Sequence, residues 1–148
     1  MTKWWMSIGK RVVIIGGGLQ GFQLAEFLLK RGGKVTILDT AEKLGAGLLA
    51  DELVLIFKWL EEKGATPIAR VECEEITGKG LMITTKEGER KTLEADAIIT
   101  ALPLLPNTNL FKILQGEAPK IYQIGDCREP NLIHDAILTV GMLLVLYR

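Results

Sequence analysis

The chain has 148 residues, 48 % of them apolar and 24 % charged, which is enough for one domain with a core of its own. Eighteen basic residues balance 18 acidic ones, so charge gives no reason to expect nucleic acid or an anionic membrane as partner. Two distant cysteines, Cys73 and Cys127, form no Cys-x-x-Cys pair and are too few to hold an iron–sulfur cluster. They are expected to be free thiols in a reducing cytoplasm.

Met1 to Lys10 contains Trp4 and Trp5 but no apolar run of signal-peptide length. Arg11 to Ile15 is a β-branched run closed by Gly16, Gly17 and Gly18, which predicts a buried parallel strand. From Leu19 to Arg31 the spacing of Phe22, Ala25, Leu28 and Leu29 predicts a helix, ended by Gly32 and Gly33. Lys34 to Leu38 is a second strand, running into Asp39. Strand, turn, helix and strand then make one right-handed crossover unit. After a loop with Gly45 and Gly47, Leu53, Ile56, Phe57 and Leu60 predict a helix over Ala50 to Lys63, and Thr66 to Ala69 a third strand.

Past this point the pattern changes. Val71 to Ile76, Leu81 to Thr85 and Lys91 to Leu93 read as short strands joined by hairpin turns, an antiparallel meander. Ala97 to Ala101 is a further buried strand, halted by Pro103 and Pro106. A short helix is expected within Asn107 to Gly116, a final strand at Ile121 to Ile124, and an apolar helix from Asn131 to the end. Its longest apolar run, Ile137 to Tyr147, falls short of the ~20 residues that span a bilayer. These elements predict an α/β Rossmann-like three-layer domain, its central parallel sheet completed through an antiparallel β-meander crossover. The whole of 1–148 is expected to be a single dinucleotide-binding domain that no linker splits, with 1–9 its N-terminal tail and 117–148 its C-terminal segment.

The chemistry lies in Gly16-x-Gly18-x-x-Gly21. The first glycine allows the tight exit from the strand, the second lets backbone approach a pyrophosphate, and the third lets helix and strand pack closely. Amides at the helix start, around Leu19 and Gln20, are expected to face the phosphates with the positive end of the helix dipole. Asp39 lies at about the ~20-residue offset of an acid that accepts the adenosine ribose hydroxyls. Thr40 follows it rather than an arginine, which favours NAD(H) over NADP(H). The alternative is a glycine turn that merely packs a helix on a strand.

Three stretches give the chain a family likeness. Lys10 to Gly18, continued to Ala25, resembles the NAD fingerprint of two-dinucleotide-fold flavoproteins. Ala95 to Ala101, with Pro106-Asn107-Thr108 after it, is similar to the strand that closes their NAD domain. Ile121-Tyr-Gln-Ile-Gly-Asp126-Cys127 resembles their second flavin motif, whose Asp bonds the ribityl chain of FAD. Within the group, the run from Gly125 to Ile137 looks most like the C-terminal region of the long NADH:flavin oxidoreductases, relatives of 2,4-dienoyl-CoA reductase, 2-enoate reductase and trimethylamine dehydrogenase. The disulfide reductases come next, but their redox cysteine pair is missing. Also missing are a second glycine fingerprint, a barrel, and the glycine expected near Leu102.

The resemblance implies an NAD(H)-binding domain that positions NADH for hydride transfer to a flavin held by another domain or subunit, with a homodimer as a further partner. It implies FAD contact through Asp126, in a pocket this chain leaves incomplete. A module that senses NAD(H) without turnover is the alternative. His134 is expected in the first turns of the last helix, and Glu72, Glu74 and Glu75 on a solvated strand edge.

Overall fold

In a computed structural model of the chain, residues 8–146 are described. Trp4, Trp5 and the end of the last apolar run at Tyr147 lie outside them. The elements, in order, are β1 (Arg11–Ile15), α1 (Leu19–Leu29), β2 (Lys34–Leu38), α2 (Ala50–Glu62), β3 (Thr66–Ile68), β4 (Glu72–Thr77), β5 (Gly80–Thr84), β6 (Arg90–Glu94), β7 (Ala97–Thr100), α3 (Asn109–Leu114) and α4 (Ile133–Leu146). A 3-10 turn occupies Gly125–Cys127. The backbone groups into two compact units, Met1–Leu102 and Pro103–Arg148.

In the first unit a four-stranded sheet has the order β3-β2-β1-β7. All its pairs are parallel, with Ile14 opposite Ile37 on one side and Ile99 on the other. The antiparallel three-stranded sheet β4-β5-β6 fills the connection from β3 to β7 where a crossover helix would otherwise run. The expected α/β Rossmann-like architecture is what the chain adopts.

Alternation along β1 explains the layers. Val12 and Ile14 point to one face and join Phe22, Ala25, Leu28 and Leu29 of α1, Val35 and Ile37 of β2, and Leu60 of α2. Val13 points to the other face and joins Leu38, Val71, Leu81 and Ile83 beneath the meander. Phe22 meets Phe57 edge to face, ring centroids 5.3 Å apart, tying α1 to α2. A sheet covered on both faces needs apolar residues along its interior, which is why Val12 to Ile15 of β1 form an unbroken hydrophobic run.

Polar residues fix the ends. Asp96 accepts the N–H groups of Lys10 (2.8 Å) and Arg11 (2.9 Å) and a 2.7 Å bond from the Arg11 guanidinium, locking the start of β1 to the start of β7. The Arg11 side chain and these backbone amides hold its carboxyl well below the usual carboxylate range. At α2 the Glu52 carboxylate accepts the Leu49 N–H (3.3 Å), half of a capping box. On β4, Glu72, Glu74 and Glu75 are exposed, as expected, and Glu74 pairs with Arg90 (3.0 Å).

The second unit departs from expectation at one element. Ile121 to Ile124 forms no strand. Four residues cannot satisfy their own backbone in extended form without a neighbouring sheet edge, and no described strand pairs with them. The helix expected from Asn131 begins at Ile133, with the Asn131 and Asp135 carbonyl and carboxylate oxygens both accepting the Leu132 N–H (3.1 Å each). His134 sits in its first turn beside Asp135, at 3.1 Å. Among the described residues no helix is long and apolar enough to cross a membrane.

Candidate functional site: the glycine turn of β1 and α1

The C-terminal ends of β1, β2 and β7 converge on the glycine turn. Gly16 has φ +119°, a conformation open to glycine. Its N–H donates to the Leu38 carbonyl (2.8 Å), and a side chain there would collide with the carbonyl of Ala101. Gly21, one turn into α1, lies so close to the Gly16 carbonyl that a Cβ would overlap its oxygen. These two glycines therefore let strand and helix approach.

Gly18 differs. It is the N-cap of α1 in extended conformation (φ −85°, ψ −170°), without any side-chain cap. A Cβ built on it would reach 3.4 Å from the Ala46 carbonyl, an ordinary contact. Packing alone does not demand a glycine at this position. No acidic side chain occupies the first turn of α1, and the N–H groups of Gln20 and Gly21 stand where a helix offers no acceptor of its own. Such a cradle suits a diphosphate. The Leu19 amide is different from expectation: it donates to the Ala46 carbonyl (3.0 Å), so here it braces the loop after β2.

Asp39 is half-buried at the end of β2. Its Oδ2 accepts the Gly17 N–H (2.7 Å), and its Oδ1 accepts the Ala41 N–H (2.9 Å). Two carboxylate oxygens carry more lone pairs than these bonds use, so acceptor capacity remains for hydroxyls. Thr40 beside it is exposed. The nearby Cys73 thiol is pushed up by burial and further by the negative charge of Asp39.

The loop after β2 was only partly legible. Gly45 donates its N–H to the Gly17 carbonyl (2.6 Å), and the Leu44 side chain fills the space that a Cβ on Gly17 would take. Gly45 has φ +97° and would collide with Leu53 if it carried a side chain. The two loop glycines were the available signal that this segment folds tightly against something. Behind it, Glu42, Lys43, Leu44, Leu53, Phe57, Pro67 and Ala69 line an open, largely apolar cleft of 390 Å³.

Asp126 belongs to the second unit, exposed on the 3-10 turn Gly125–Cys127. The neighbouring cleft of 220 Å³ is lined by Gly125, Arg128, Glu129 and Asp135, among others, but not by Asp126. No second glycine turn accompanies it among the described residues, so the FAD contact expected at Asp126 gains no support from its surroundings. Cys73 and Cys127 are both free, as expected. Among the described residues no cluster of side chains could hold a metal ion.

A parallel sheet, a glycine turn opening α1 and an acid ending β2 define a dinucleotide-binding α/β protein. Residues 2–139 match the model of the pyridine nucleotide-disulphide oxidoreductases, and the chain belongs to that family of NAD- and FAD-linked oxidoreductases. It is 33 % identical over 141 residues to a rubredoxin-NAD(+) reductase of Acinetobacter baylyi, covering 82 % of this chain and 35 % of that protein. Similarity to a nitric oxide reductase FlRd-NAD(+) reductase of Salmonella paratyphi A is 31 % over 137 residues, covering 82 % and 36 %. Among solved structures, a 2-naphthoyl-CoA reductase complexed with 2-naphthoyl-CoA superposes with a TM-score of 0.77 at 27 % identity, over 89 % of this chain and 20 % of that one. The chain thus spans about a third of the length of its curated relatives. The broad family is shown; these relatives do not single out the long NADH:flavin oxidoreductases within it.

Proposed function

We propose that this chain is the NAD(H)-binding domain of a flavin-dependent oxidoreductase, holding NADH so that its nicotinamide faces a flavin carried by another domain or subunit. The observation that carries the reading is Gly18, the glycine of the fingerprint whose missing side chain local packing does not explain. The diphosphate is assigned to the space over Gly18, against the amides of Gln20 and Gly21. Asp39, already oriented by Gly17 and Ala41, takes the adenosine ribose hydroxyls. The bound nicotinamide supplies a hydride, and no side chain of this chain is required as acid or base.

The relatives, reductases of rubredoxin and of FlRd with NAD(+), support NAD(H) as the dinucleotide. The narrower placement among the long NADH:flavin oxidoreductases rests on the run from Gly125 to Ile137 in the sequence. FAD bound through Asp126 would need the remainder of its pocket from outside this chain. Fluorescence titration with NADH tests the site: saturable binding is expected, lost in Gly18→Val with the fold retained. Stopped-flow reduction of a flavoprotein partner by the NADH-loaded chain then separates electron transfer from mere sensing of NAD(H).

A further inference from the structure

The charges around Asp39 decide what a 2′-phosphate on the ribose would meet. Glu42 and Lys43 lie on the loop after β2, and Arg70 follows β3. Backbone bonds hold Arg70 beside that loop: its N–H donates to the Ala41 carbonyl (3.1 Å), and the next N–H, of Val71, donates to the Asp39 carbonyl (3.1 Å). Arg70 is also the one non-glycine residue with positive φ (57°) among those described. An L residue holds that conformation only where its surroundings impose it. Its guanidinium is ion-paired with the Glu42 carboxylate.

We propose that Glu42 is a specificity-determining residue of the dinucleotide site: by engaging Arg70 it withholds from the ribose end a cation that would otherwise receive a 2′-phosphate. The proposal rests on the assignment of the ribose to Asp39. A guanidinium is the side chain whose donor fork best matches a phosphate, and Arg70 is tied by backbone to within two residues of the ribose carboxylate. With Glu42 in place, a 2′-phosphate beside Asp39 meets a carboxylate and an Arg70 whose guanidinium is already engaged. With Glu42 neutral, the guanidinium loses that partner while its backbone stays tied to Ala41.

The test measures NADH and NADPH dissociation constants for the full chain and for Glu42→Gln, Glu42→Asp, and Glu42→Gln combined with Arg70→Gln. Glu42→Gln is expected to tighten NADPH by about three- to tenfold, the scale of one freed charge–phosphate contact at a partly exposed rim, and to change NADH less than about twofold. Glu42→Asp should keep the wild-type ratio, and the double variant should lose the gain. The gain should also shrink as salt rises. An unchanged NADPH to NADH ratio in Glu42→Gln overturns the proposal, and so does a gain that survives in the double variant. If wild type binds neither coenzyme, the ribose assignment itself fails, a separate and recognisable result.

Discussion

Replacing Asp39 by Asn separates two duties of one carboxylate. In the wild type Oδ2 accepts from Gly17 at 2.7 Å and Oδ1 accepts from Ala41 at 2.9 Å. An amide keeps one acceptor oxygen and turns an NH2 donor toward the other N–H, so one bond is lost and the survivor no longer has a charged acceptor. A hydrogen bond to a charged group contributes about 1.5–3 kcal/mol, and partial exposure brings the expected loss to about 1–2 kcal/mol. For a unit of this size that lowers the melting temperature by about 4–16 °C. The second duty is the ribose: without the charge, NADH should bind about 10- to 100-fold more weakly. Differential scanning fluorimetry reads the first effect and NADH fluorescence titration at a temperature where both proteins are folded reads the second. An unchanged melting temperature refutes the brace. A lowered melting temperature with unchanged NADH affinity leaves Asp39 as a brace alone and removes it from the coenzyme site.

The glycines make opposite predictions. Gly21→Ala should destabilise the chain by several kcal/mol or prevent folding, since its methyl would overlap the Gly16 carbonyl oxygen, backbone that cannot move aside cheaply. Gly18→Val should melt close to wild type yet lose NADH binding; circular dichroism and titration of both variants check the contrast. Asp96 predicts a pH effect. Its folded-state pKa is depressed, so its stabilisation is present above the ordinary carboxylate pKa of about 4 and is lost as pH falls below it. The difference in melting temperature between wild type and Asp96→Asn should accordingly stay level down to about pH 5 and narrow progressively as pH falls below about 4.

The central sheet was legible because its strands obey a local rule: Val12 to Ile15 of β1 and Val35, Ile37 and Leu38 of β2 are apolar and bounded by glycines or Asp39, and Phe22, Ala25, Leu28 and Leu29 repeat at helical spacing. The meander was legible from its turns. What failed was Ile121 to Ile124, where β-branched residues suggested a strand but strand formation depends on a partner that composition does not supply. At the site, the glycine pattern and Asp39 could be read from spacing alone. The bond from Leu19 to Ala46 and the pairing of Arg70 with Glu42 could not, because both join segments whose separation in sequence carries no period. The left-handed conformation of Arg70 has no sequence signal either, since arginine is not a residue that favours it.

The most direct test of the glycine turn as the dinucleotide site is an amide NMR titration of the chain with NADH. The backbone signals of Gly18, Gln20 and Gly21 should shift together and saturate at one dissociation constant, with Asp39 following. If NADH binds while these amides stay in place and the shifts gather elsewhere, or if no signal moves at millimolar NADH, the coenzyme is not held by this turn.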